Sequence, residues 1–418
     1  MHPTPFLAPH LLVLGLAAAA PGGVAPEAPP ASTADLIVPE IERRVEELLA
    51  RMTLEEKIGQ MTQRNTWFRQ DAEGMKAMVR EGRLGSVLNE VDPQIINELQ
   101  RVAREESRLG IPLIFGRDVI HGFRTVLPIP LGQAATFNPE LAERGARVAA
   151  VEAASQGLDW TFAPMMDVSR DARWGRIAES LGEEPHLASE LAAAMVRGFQ
   201  GSSPETDLAR SDTIAACAKH FVAYGAPEGG RDYNTVVVSE QELRDVYLAP
   251  FKAAVDAGAA TVMSAFNEIN GIPASGNEHT LRGILREQWG FNGFVVSDWD
   301  SVVEMVAHGY AEDDREAARR AISAGVDMEM ASRSYEESAA DLVGSGALPA
   351  EAIDDSVRRI LRVKFLLGLF EDPYTDTEAF PPLLAEEHLE VAREAARQSV
   401  VLLKNEGSAG GVGGGGGA

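Results

Sequence analysis

The clearest chemical signal in this sequence is one aspartate at the end of an apolar run. Asp298 follows the run Phe294–Ser297 and is itself followed by Trp299. β-Branched and aromatic residues favour a buried strand, and side chains at the carboxyl ends of strands in a parallel barrel face the active site. A carboxylate there can act as nucleophile, base or binding group, and the neighbouring indole offers a flat apolar face to a sugar ring. The alternative is an aspartate that only caps the next helix.

Lys219 and His220 end a second apolar run, residues 214–218. A lysine at a barrel strand end can form a Schiff base with a carbonyl substrate, which is aldolase-like lyase chemistry. No glycine-rich phosphate loop, which such sites usually have, follows the late strands. Hydrogen-bond donors of this kind also suit the hydroxyls of a polyol. Because adjacent residues of a strand point to opposite sides, one of the two can be structural.

Other polar residues also follow apolar runs, which predicts one shared cleft at the strand ends. They are Asp118, Asp167 and Asn267. Asp118 either binds two hydroxyls or pairs with Arg117 or Arg124. The charged and aromatic loop at residues 171–176 is either part of the cleft or a local salt bridge.

Short apolar runs alternate with helical stretches from residue 39 to about residue 372. The predicted strands are residues 84–88, 112–115, 160–163, 214–218, 261–265, 294–297 and 326–330. Helices are predicted at 41–51, 139–156 and 240–257, and Thr53 with Glu56 predicts a capping box. Buried strands separated by helices favour an α/β fold, a (β/α)8 TIM-like barrel with or without irregularities, over a doubly wound sheet. No GxGxxG pattern supports a dinucleotide-binding fold.

The composition limits the class of partner. The 418 residues include 38 basic and 63 acidic side chains, a net charge of −25. A surface this acidic repels phosphate backbones, so we expect no nucleic-acid partner and a neutral substrate. The single cysteine, Cys217, excludes an internal disulfide and lies in an apolar run, which favours inert packing over a reactive thiol. His121 and His220 lack paired metal-ligand spacing, so neither a metal nor another cofactor is expected.

The two ends of the sequence differ from the middle. Residues 1–20 predict a cleaved signal peptide, and hence an exported protein, periplasmic or extracellular. Residues 21–38 predict a flexible linker before a catalytic domain over residues 39–395, and no later segment is long and apolar enough to span a membrane. Residues 396–406, with a strand at 400–403, predict the first element of a truncated second α/β domain. The glycine-rich residues 407–418 predict a disordered tail.

Six motifs, in order, resemble those of glycoside hydrolase family 3, and most closely its bacterial periplasmic β-glucosidases. They occupy residues 52–61 (MTLEEKIGQM), 117–122 (RDVIHG), 171–176 (DARWGR), 219–221 (KHF), 297–299 (SDW) and 363–370 (VKFLLGLF). Each motif is weak alone, but the ordered set is specific. The likeness covers about residues 39–405, which predicts the family's catalytic barrel for the domain at 39–395.

The resemblance implies a retaining glycoside hydrolase, in which Asp298 is the nucleophile of a double displacement. The reaction would remove β-linked glucosyl units from the non-reducing end of β-glucosides and oligosaccharides through a covalent glycosyl-aspartate. The resemblance assigns the hydroxyls of the non-reducing glucosyl unit to Asp118, Arg176, Lys219 and His220. It places Met263 and Phe266 in the lining of the sugar pocket, and it places Trp299 in the aromatic wall of the next subsite. Many members carry a tyrosine where this chain has Phe266, so a hydroxyl is absent at that position.

The sequence names no proton donor. In this family the general acid/base usually comes from a domain after the motif at residues 401–405, and we expect that domain to be missing here. The N-acetylglucosaminidases of the family use a histidine on the loop after Lys-His-Phe, but residues 222–230 contain none. Two functions therefore stay open, an active β-glucosidase and a truncated, largely inactive fragment that binds sugar, with an aldolase-like lyase as a distant third.

Overall fold

The structure is a computed structural model, and it describes residues 33–66 and 72–405. The predicted signal peptide (1–20) and tail (407–418) lie outside the described residues. The predicted linker (21–38) is described only from residue 33, and that part is not a flexible linker. It forms a 3-10 turn, Thr33–Leu36, in which Leu36 is fully buried and Thr33 Oγ1 donates a 3.3 Å hydrogen bond to Gly290 O. Burial of an apolar side chain is what fixes this segment to the barrel.

Ten strands occur in the described residues, eight of them parallel and two in a small antiparallel hairpin. In chain order they are β1 (Thr62–Asn65), β2 (Ser86–Leu88), β3 (Ile114–Arg117), β4 (Trp160–Thr161), β5 (Cys217–Phe221), β6 (Thr261–Ser264), β7 (Glu268–Ile269), β8 (Ile272–Pro273), β9 (Phe294–Ser297) and β10 (Glu329–Met330). The hairpin is β7–β8, inserted between two barrel strands.

The eight parallel strands close into a barrel, as the sequence predicts. One sheet has the order β10-β1-β2-β3-β4 and another the order β5-β6-β9. Isolated parallel bridges join the two sheets at both edges, Trp160 to Ala215 on one side and Val296 to Met328 on the other. The short β4 and β10 and the bridged edges make this an irregular (β/α)8 barrel.

Helices surround the barrel and connect its strands. The α-helices are Pro39–Leu49, Leu54–Gln60, Ala72–Arg80, Pro93–Arg101, Pro130–Ala134, Pro139–Ala154, Pro185–Gln200, Pro204–Asp207, Glu240–Glu242, Ala249–Asp256, Glu304–Ala307, Asp314–Ala324, Ser334–Gly344, Ala350–Leu366 and Glu386–Gln398. Three segments are π-helical: Val102–Glu106, Leu243–Tyr247 and His279–Gln288. Further 3-10 turns occupy Gly175–Glu179, Glu228–Gly230, Ala274–Gly276 and Thr377–Ala379. None of the helices in the described ranges is long and apolar enough to cross a membrane.

Local sequence signals explain several helix boundaries. The predicted capping box is confirmed: Thr53 Oγ1 accepts a hydrogen bond from Glu56 N, and Glu56 Oε2 accepts a 2.9 Å hydrogen bond from Thr53 N. The helix Pro139–Ala154 begins with proline at its first position, and Asn138 Oδ1 caps it by accepting a 3.1 Å bond from Leu141 N.

The amino-terminal end of the barrel is closed by a buried lysine. Lys364 is fully buried in the helix Ala350–Leu366, and its Nζ donates to Gln60 Oε1 at 2.7 Å, Gly85 O at 2.7 Å and Pro112 O at 2.8 Å. The three donors of the ammonium group are therefore all used. Gly85 and Pro112 lie just before β2 and β3, so this side chain ties the start of two strands to one helix.

A buried carboxylate fastens the last helix to the barrel. Glu152 is 1% exposed and accepts hydrogen bonds from Arg124 N and Thr125 N at 2.8 Å, Thr125 Oγ1 at 2.6 Å and His388 Nδ1 at 3.0 Å. Burial acts to raise the pKa of Glu152, but these donors outweigh it and hold the pKa below its ordinary value. One side chain thus joins the loop after β3 to the helix Glu386–Gln398.

The predicted strand at residues 400–403 is wrong. These residues have no regular secondary structure, and Val400, Val401, Leu402 and Leu403 are 57–91% exposed. An apolar run becomes a strand only when it pairs with a neighbour, and the described residues offer it none. The predicted boundary at residue 396 also moves, because the helix Glu386–Gln398 continues through it and packs on Pro139–Ala154 through Val391 and Ala395.

Candidate active site

The carboxyl ends of the barrel strands surround a pocket of about 420 Å³, a size suited to a small ligand. The eight side chains to which the family resemblance gives a role all line it: Asp118, Arg176, Lys219, His220, Met263, Phe266, Asp298 and Trp299. They come from the ends of different strands, which is how a parallel barrel assembles one site from distant parts of its chain.

Asp298 directly follows β9, lines the pocket and is 8% exposed. Its Oδ1 atom accepts a 2.7 Å hydrogen bond from Trp299 N, and its Oδ2 atom lies 3.4 Å from His220 Nε2. Ser297 Oγ accepts from Met330 N at 2.9 Å and donates to Asp298 O at 3.0 Å, which fixes the strand end. Asp298 does not cap the next helix, because the residue at that position is Val303.

A buried aspartate sets the orientation of His220. Asp167 Oδ2 accepts a 3.0 Å hydrogen bond from His220 N and lies 2.8 Å from His220 Nδ1. On the other side of the ring, Arg176 Nη2 lies 3.2 Å from His220 Nε2. Since a guanidinium group can only donate, Nε2 is the acceptor and Nδ1 carries the proton. The imidazole is therefore held as a single tautomer between Asp167 and Arg176.

Burial strongly shifts the pKa values of three ionisable groups in and beside the pocket. Burial raises the pKa of Asp298 to about 7, against the opposing effect of Lys219 and Arg176. Burial likewise raises the pKa of Asp167 to about 7. Burial, with Arg176 and Lys219 nearby, lowers the pKa of His220 well below its ordinary value, so the imidazole is neutral. Such perturbed groups in one cleft are typical of functional sites.

Lys219 and His220 both line the pocket, although neighbours on a regular strand would point to opposite sides. The pairing of β5 with β6 shifts register between Ala218 and Phe221. An irregularity of this kind re-aims side chains and breaks the alternation. Both side chains therefore face the pocket, although regular strand geometry predicts that one of them is structural.

Two ion pairs order the polar wall. Lys219 Nζ lies 2.5 Å from Asp118 Oδ1, so Asp118 pairs with neither Arg117 nor Arg124. Arg176 makes a two-pronged contact with Glu179, at 2.8 Å from Nε to Oε1 and 3.0 Å from Nη2 to Oε2. All four of these side chains line the pocket, and the donor and acceptor positions that the ion pairs do not use can bind a ligand.

The apolar wall is built from Met263, Phe266 and Trp299. Met263 is 2% exposed and Phe266 7%, while Trp299 is partly buried and packs on the cluster that contains Phe266. A polar wall opposite an apolar one matches the two kinds of surface that a pyranose ring carries.

Other residues considered in the sequence have structural roles. Asp171 pairs with Arg173 at 2.6 Å in an exposed loop, so the local salt bridge exists while Arg176 of the same loop turns into the pocket. Asn267 is fully buried and its Nδ2 donates to Val222 O at 3.4 Å. Cys217 is fully buried in β5, as the sequence predicts.

Several pocket residues have no clear signal in the sequence. They are Leu88, Asn89, Phe162, Glu179, Asp232, Tyr233 and Met330. Glu179 and Tyr233 lie in loops, where no periodicity tells which side chains turn inward. The sequence predicts Asp167 to be a strand-end residue of the cleft, but in the structure it contacts His220 and does not line the pocket.

The arrangement can hold a ring of hydroxyls and present one carboxylate to it. In retaining glycosidases a second carboxyl group, about 5–5.5 Å from the first, donates a proton to the leaving oxygen. Within residues 33–66 and 72–405, no group of three or more histidine, cysteine or acidic side chains is arranged to hold a metal ion.

Comparison with known proteins finds one matching family. The model of the glycosyl hydrolase family 3 N terminal domain matches residues 53–363. The periplasmic beta-glucosidase of Salmonella typhimurium is 44% identical over 371 residues, which are 86% of this chain and 48% of that protein. A beta-xylosidase of Formosa agariphila is 34% identical, over 88% of this chain and 48% of its own length.

A solved structure gives the same picture. The β-glucosidase from Listeria innocua in complex with glucose superposes with a TM-score of 0.83 at 41% identity, covering 88% of this chain and 53% of that one. The chain thus spans about half the length of the relatives that it matches.

Proposed function

The chain belongs to glycosyl hydrolase family 3, and we propose that it is a retaining glycoside hydrolase that transfers β-linked glucosyl units from the non-reducing end of β-glucosides to water. The observation that carries the proposal is the position of Asp298: its Oδ2 lies 3.4 Å from His220 Nε2, in a pocket that Lys219, Asp118 and Arg176 also line. The names of the Salmonella and Listeria relatives support glucosides as the substrate class.

In the proposed reaction, the carboxylate of Asp298 attacks the anomeric carbon while the bond from that carbon to the leaving oxygen breaks. The product is a glycosyl ester of Asp298, and water then cleaves the ester with net retention of configuration. Lys219, His220 and Arg176 would bind sugar hydroxyls, and the desolvated pocket strengthens each of these contacts. Met263 and Phe266 would contact the apolar face of the glucosyl unit, and Trp299 would line the next subsite.

A second candidate, a sugar-binding protein with little turnover, is favoured by the state of the other carboxyl groups. Among the described residues that line the pocket, Asp118 is paired with Lys219, Glu179 with Arg176, and Asp232 accepts a 2.8 Å bond from Trp174 Nε1. All three carboxyl groups are therefore already engaged by another side chain, which does not suit them to protonate the leaving oxygen. Loss of general acid catalysis typically costs about 10²–10⁴-fold in rate.

An activated substrate separates the two candidates. A dinitrophenyl β-glucoside needs little protonation of its leaving group, so it should glycosylate Asp298 and then turn over slowly, with azide accelerating release of the sugar. Mass spectrometry of the quenched protein should show one added glucosyl unit. The Asp298→Ala variant should show no adduct, and an unchanged adduct in that variant would contradict the assignment of the nucleophile.

Two further substrates refine the result. The matched dinitrophenyl β-xyloside tests whether the sugar must carry a hydroxymethyl group, since relatives of both names match this chain. Rapid hydrolysis of cellobiose would show that a competent acid is present and would eliminate the second candidate.

We also propose that the protein is exported. The proposal is supported by the apolar stretch within residues 1–20 and by the name of the periplasmic Salmonella relative. Fusion of residues 1–38 to a reporter that folds only outside the cytoplasm tests it, and an inactive reporter would contradict it.

A further inference from the structure

A second cavity, larger than the active-site pocket, lies between β1 and three of the surrounding helices. Its volume is about 720 Å³, and its lining comes from the end of β1 and from the helices Ala72–Arg80, Pro93–Arg101 and Ser334–Gly344 with their flanking residues. Among the described residues, none lines both this cavity and the active-site pocket. The two are therefore separate sites, although the loop after β2 borders both, with Asn89 in one and Glu90 in the other.

One part of the lining is apolar. Met75 and Met78 come from the helix Ala72–Arg80, and Ile95 and Leu99 come from the helix Pro93–Arg101. Leu99 is 3% exposed, and the other three are partly buried and pack against the main core. Methionine side chains adapt readily to the shape of a ligand, because they are unbranched and have three rotatable bonds. A cavity of this size and lining suits the apolar body of a small molecule.

The rest of the lining carries an excess of positive charge. It includes two acidic side chains and four basic ones: Arg64, Lys76, Arg83 and Arg333. The whole chain, by contrast, has a net charge of −25. Basic groups concentrated beside apolar surface in an otherwise acidic protein favour a ligand that is both anionic and apolar.

The two acidic side chains of the cavity already have donors within the protein. Glu336 pairs with Arg64, and its Oε1 atom accepts a 3.0 Å hydrogen bond from Arg83 Nη1. Glu90 is 3% exposed, and its Oε1 atom accepts a 3.0 Å hydrogen bond from Val91 N. Neither carboxylate therefore requires a cationic ligand.

Two of the basic side chains are held more loosely. Lys76 Nζ lies 3.4 Å from a carboxylate oxygen of Glu73 and 3.4 Å from one of Glu98. The side chain of Arg333 is 64% exposed, and its Nε atom lies 3.2 Å from Glu337 Oε1. Ion pairs of this exposed kind contribute little to stability, so both cations can turn to an anion in the cavity at low cost.

We propose that this cavity binds a small apolar anion, in which one carboxylate or sulfonate group is attached to an aromatic or aliphatic body. Lys76 and Arg333 would bind the anionic group, and Met75, Met78 and Leu99 would contact the body. The inference is independent of the proposed function, because it uses none of the residues of the proposed reaction.

Fluorescence titration of the full chain with anilinonaphthalene sulfonate tests the proposal, and neutral phenylnaphthylamine is the matched probe without the sulfonate. The parent protein should bind both probes saturably. Lys76→Met combined with Arg333→Met should weaken binding of the sulfonate about tenfold and leave binding of the neutral probe unchanged, because only charge is removed. Arg393→Met combined with Arg397→Met removes two positive charges that do not line the cavity, and should leave both affinities unchanged.

A variant that fills the cavity gives a second measurement. Met75→Trp should weaken binding of both probes at least about tenfold, because the indole occupies space that the bicyclic body needs. Saturating glucose should displace neither probe, since the active-site pocket is separate.

Four results would overturn the inference. They are absence of saturable binding to the parent, displacement of the sulfonate by glucose, equal weakening in the two double variants, and unchanged binding in Met75→Trp. Thermal unfolding of each variant establishes that folded proteins are being compared.

Discussion

Asp167 holds His220 by two of its nitrogen atoms at once, through Oδ2 to the backbone N at 3.0 Å and to Nδ1 at 2.8 Å. The opposite ring nitrogen, Nε2, lies 3.4 Å from Asp298 Oδ2. A carboxylate that never reaches the pocket thus fixes the position and the tautomer of a side chain that contacts the proposed nucleophile.

Removal of Asp167 should impair the reaction through His220. We expect Asp167→Ala to lower kcat/KM for a dinitrophenyl β-glucoside by about 10²-fold. Without Asp167 the His220 side chain can shift, and a displacement of about 1 Å in an active site can reduce the rate by that factor. Asp167→Asn keeps one acceptor oxygen and should lose less. The control is Asp159→Ala, which removes another aspartate, one that accepts from Phe115 N at the other end of the barrel. If both alanine variants changed kcat/KM equally, the effect of Asp167 would be one of stability only.

The pH dependence of the reaction should report Asp298. The nucleophile acts when ionised, and burial raises its pKa to about 7, so kcat/KM should fall as pH drops through about 7. Lys219 lowers this pKa, and Lys219→Met should therefore move the acid limb to higher pH. Lys252→Met, which changes an exposed lysine paired with Asp256, should leave the limb in place. An acid limb near pH 4 in the parent enzyme would contradict the raised pKa.

Replacement of Lys364 should destabilise the barrel strongly. Lys364→Met leaves Gln60 Oε1, Gly85 O and Pro112 O without their buried donor, and we expect a loss of about 3–5 kcal/mol in the free energy of unfolding. Urea denaturation measures it. Lys252→Met breaks only a surface pair and should change little. A Lys364→Met protein as stable as the parent would show that the three acceptors find other partners.

Cys217 should not react in the folded protein. Its side chain is fully buried, and burial raises the pKa of the thiol to about 12, so almost no thiolate is present at neutral pH. A disulfide reagent that releases a coloured thiolate should label it only after denaturation. Labelling of the native protein at the rate of a free thiol would mean that β5 opens readily.

The parts of the fold predicted from the sequence are those with strong local signals. The apolar run of β9 and the capping box at Thr53 specify their own structure, and the structure has them where they are predicted. β1 is not predicted, because Thr62–Asn65 contains no apolar residue. Its stability comes from parallel pairing with β10 and β2 and from buried polar contacts such as Gln63 Nε2 to Ser86 Oγ at 2.8 Å.

The site shows the same division. Strand-end residues can be predicted, because parallel strands bring their carboxyl ends to one edge, and Asp118, Lys219, His220 and Asp298 all line the pocket. Arg176, Met263 and Phe266 line it as well, but only the family resemblance assigns them to it. That Lys219 and His220 both face inward depends on the register shift between β5 and β6, which only the paired strands reveal. The positions of loop side chains such as Tyr233 depend on contacts with distant segments, here with Phe266. No sequence periodicity predicts such contacts.

The contacts of Lys364 and Glu152 determine where this chain can be shortened without loss of stability. The family match ends at residue 363, and a gene cut at that point would delete both Lys364 and His388. Loss of Lys364 would leave three buried acceptors at the amino-terminal end of the barrel without their donor. Loss of His388 would remove one of the hydrogen-bond donors to the buried carboxylate of Glu152. The smallest piece of this gene worth expressing therefore runs through Gln398, thirty-five codons past the border that sequence similarity suggests.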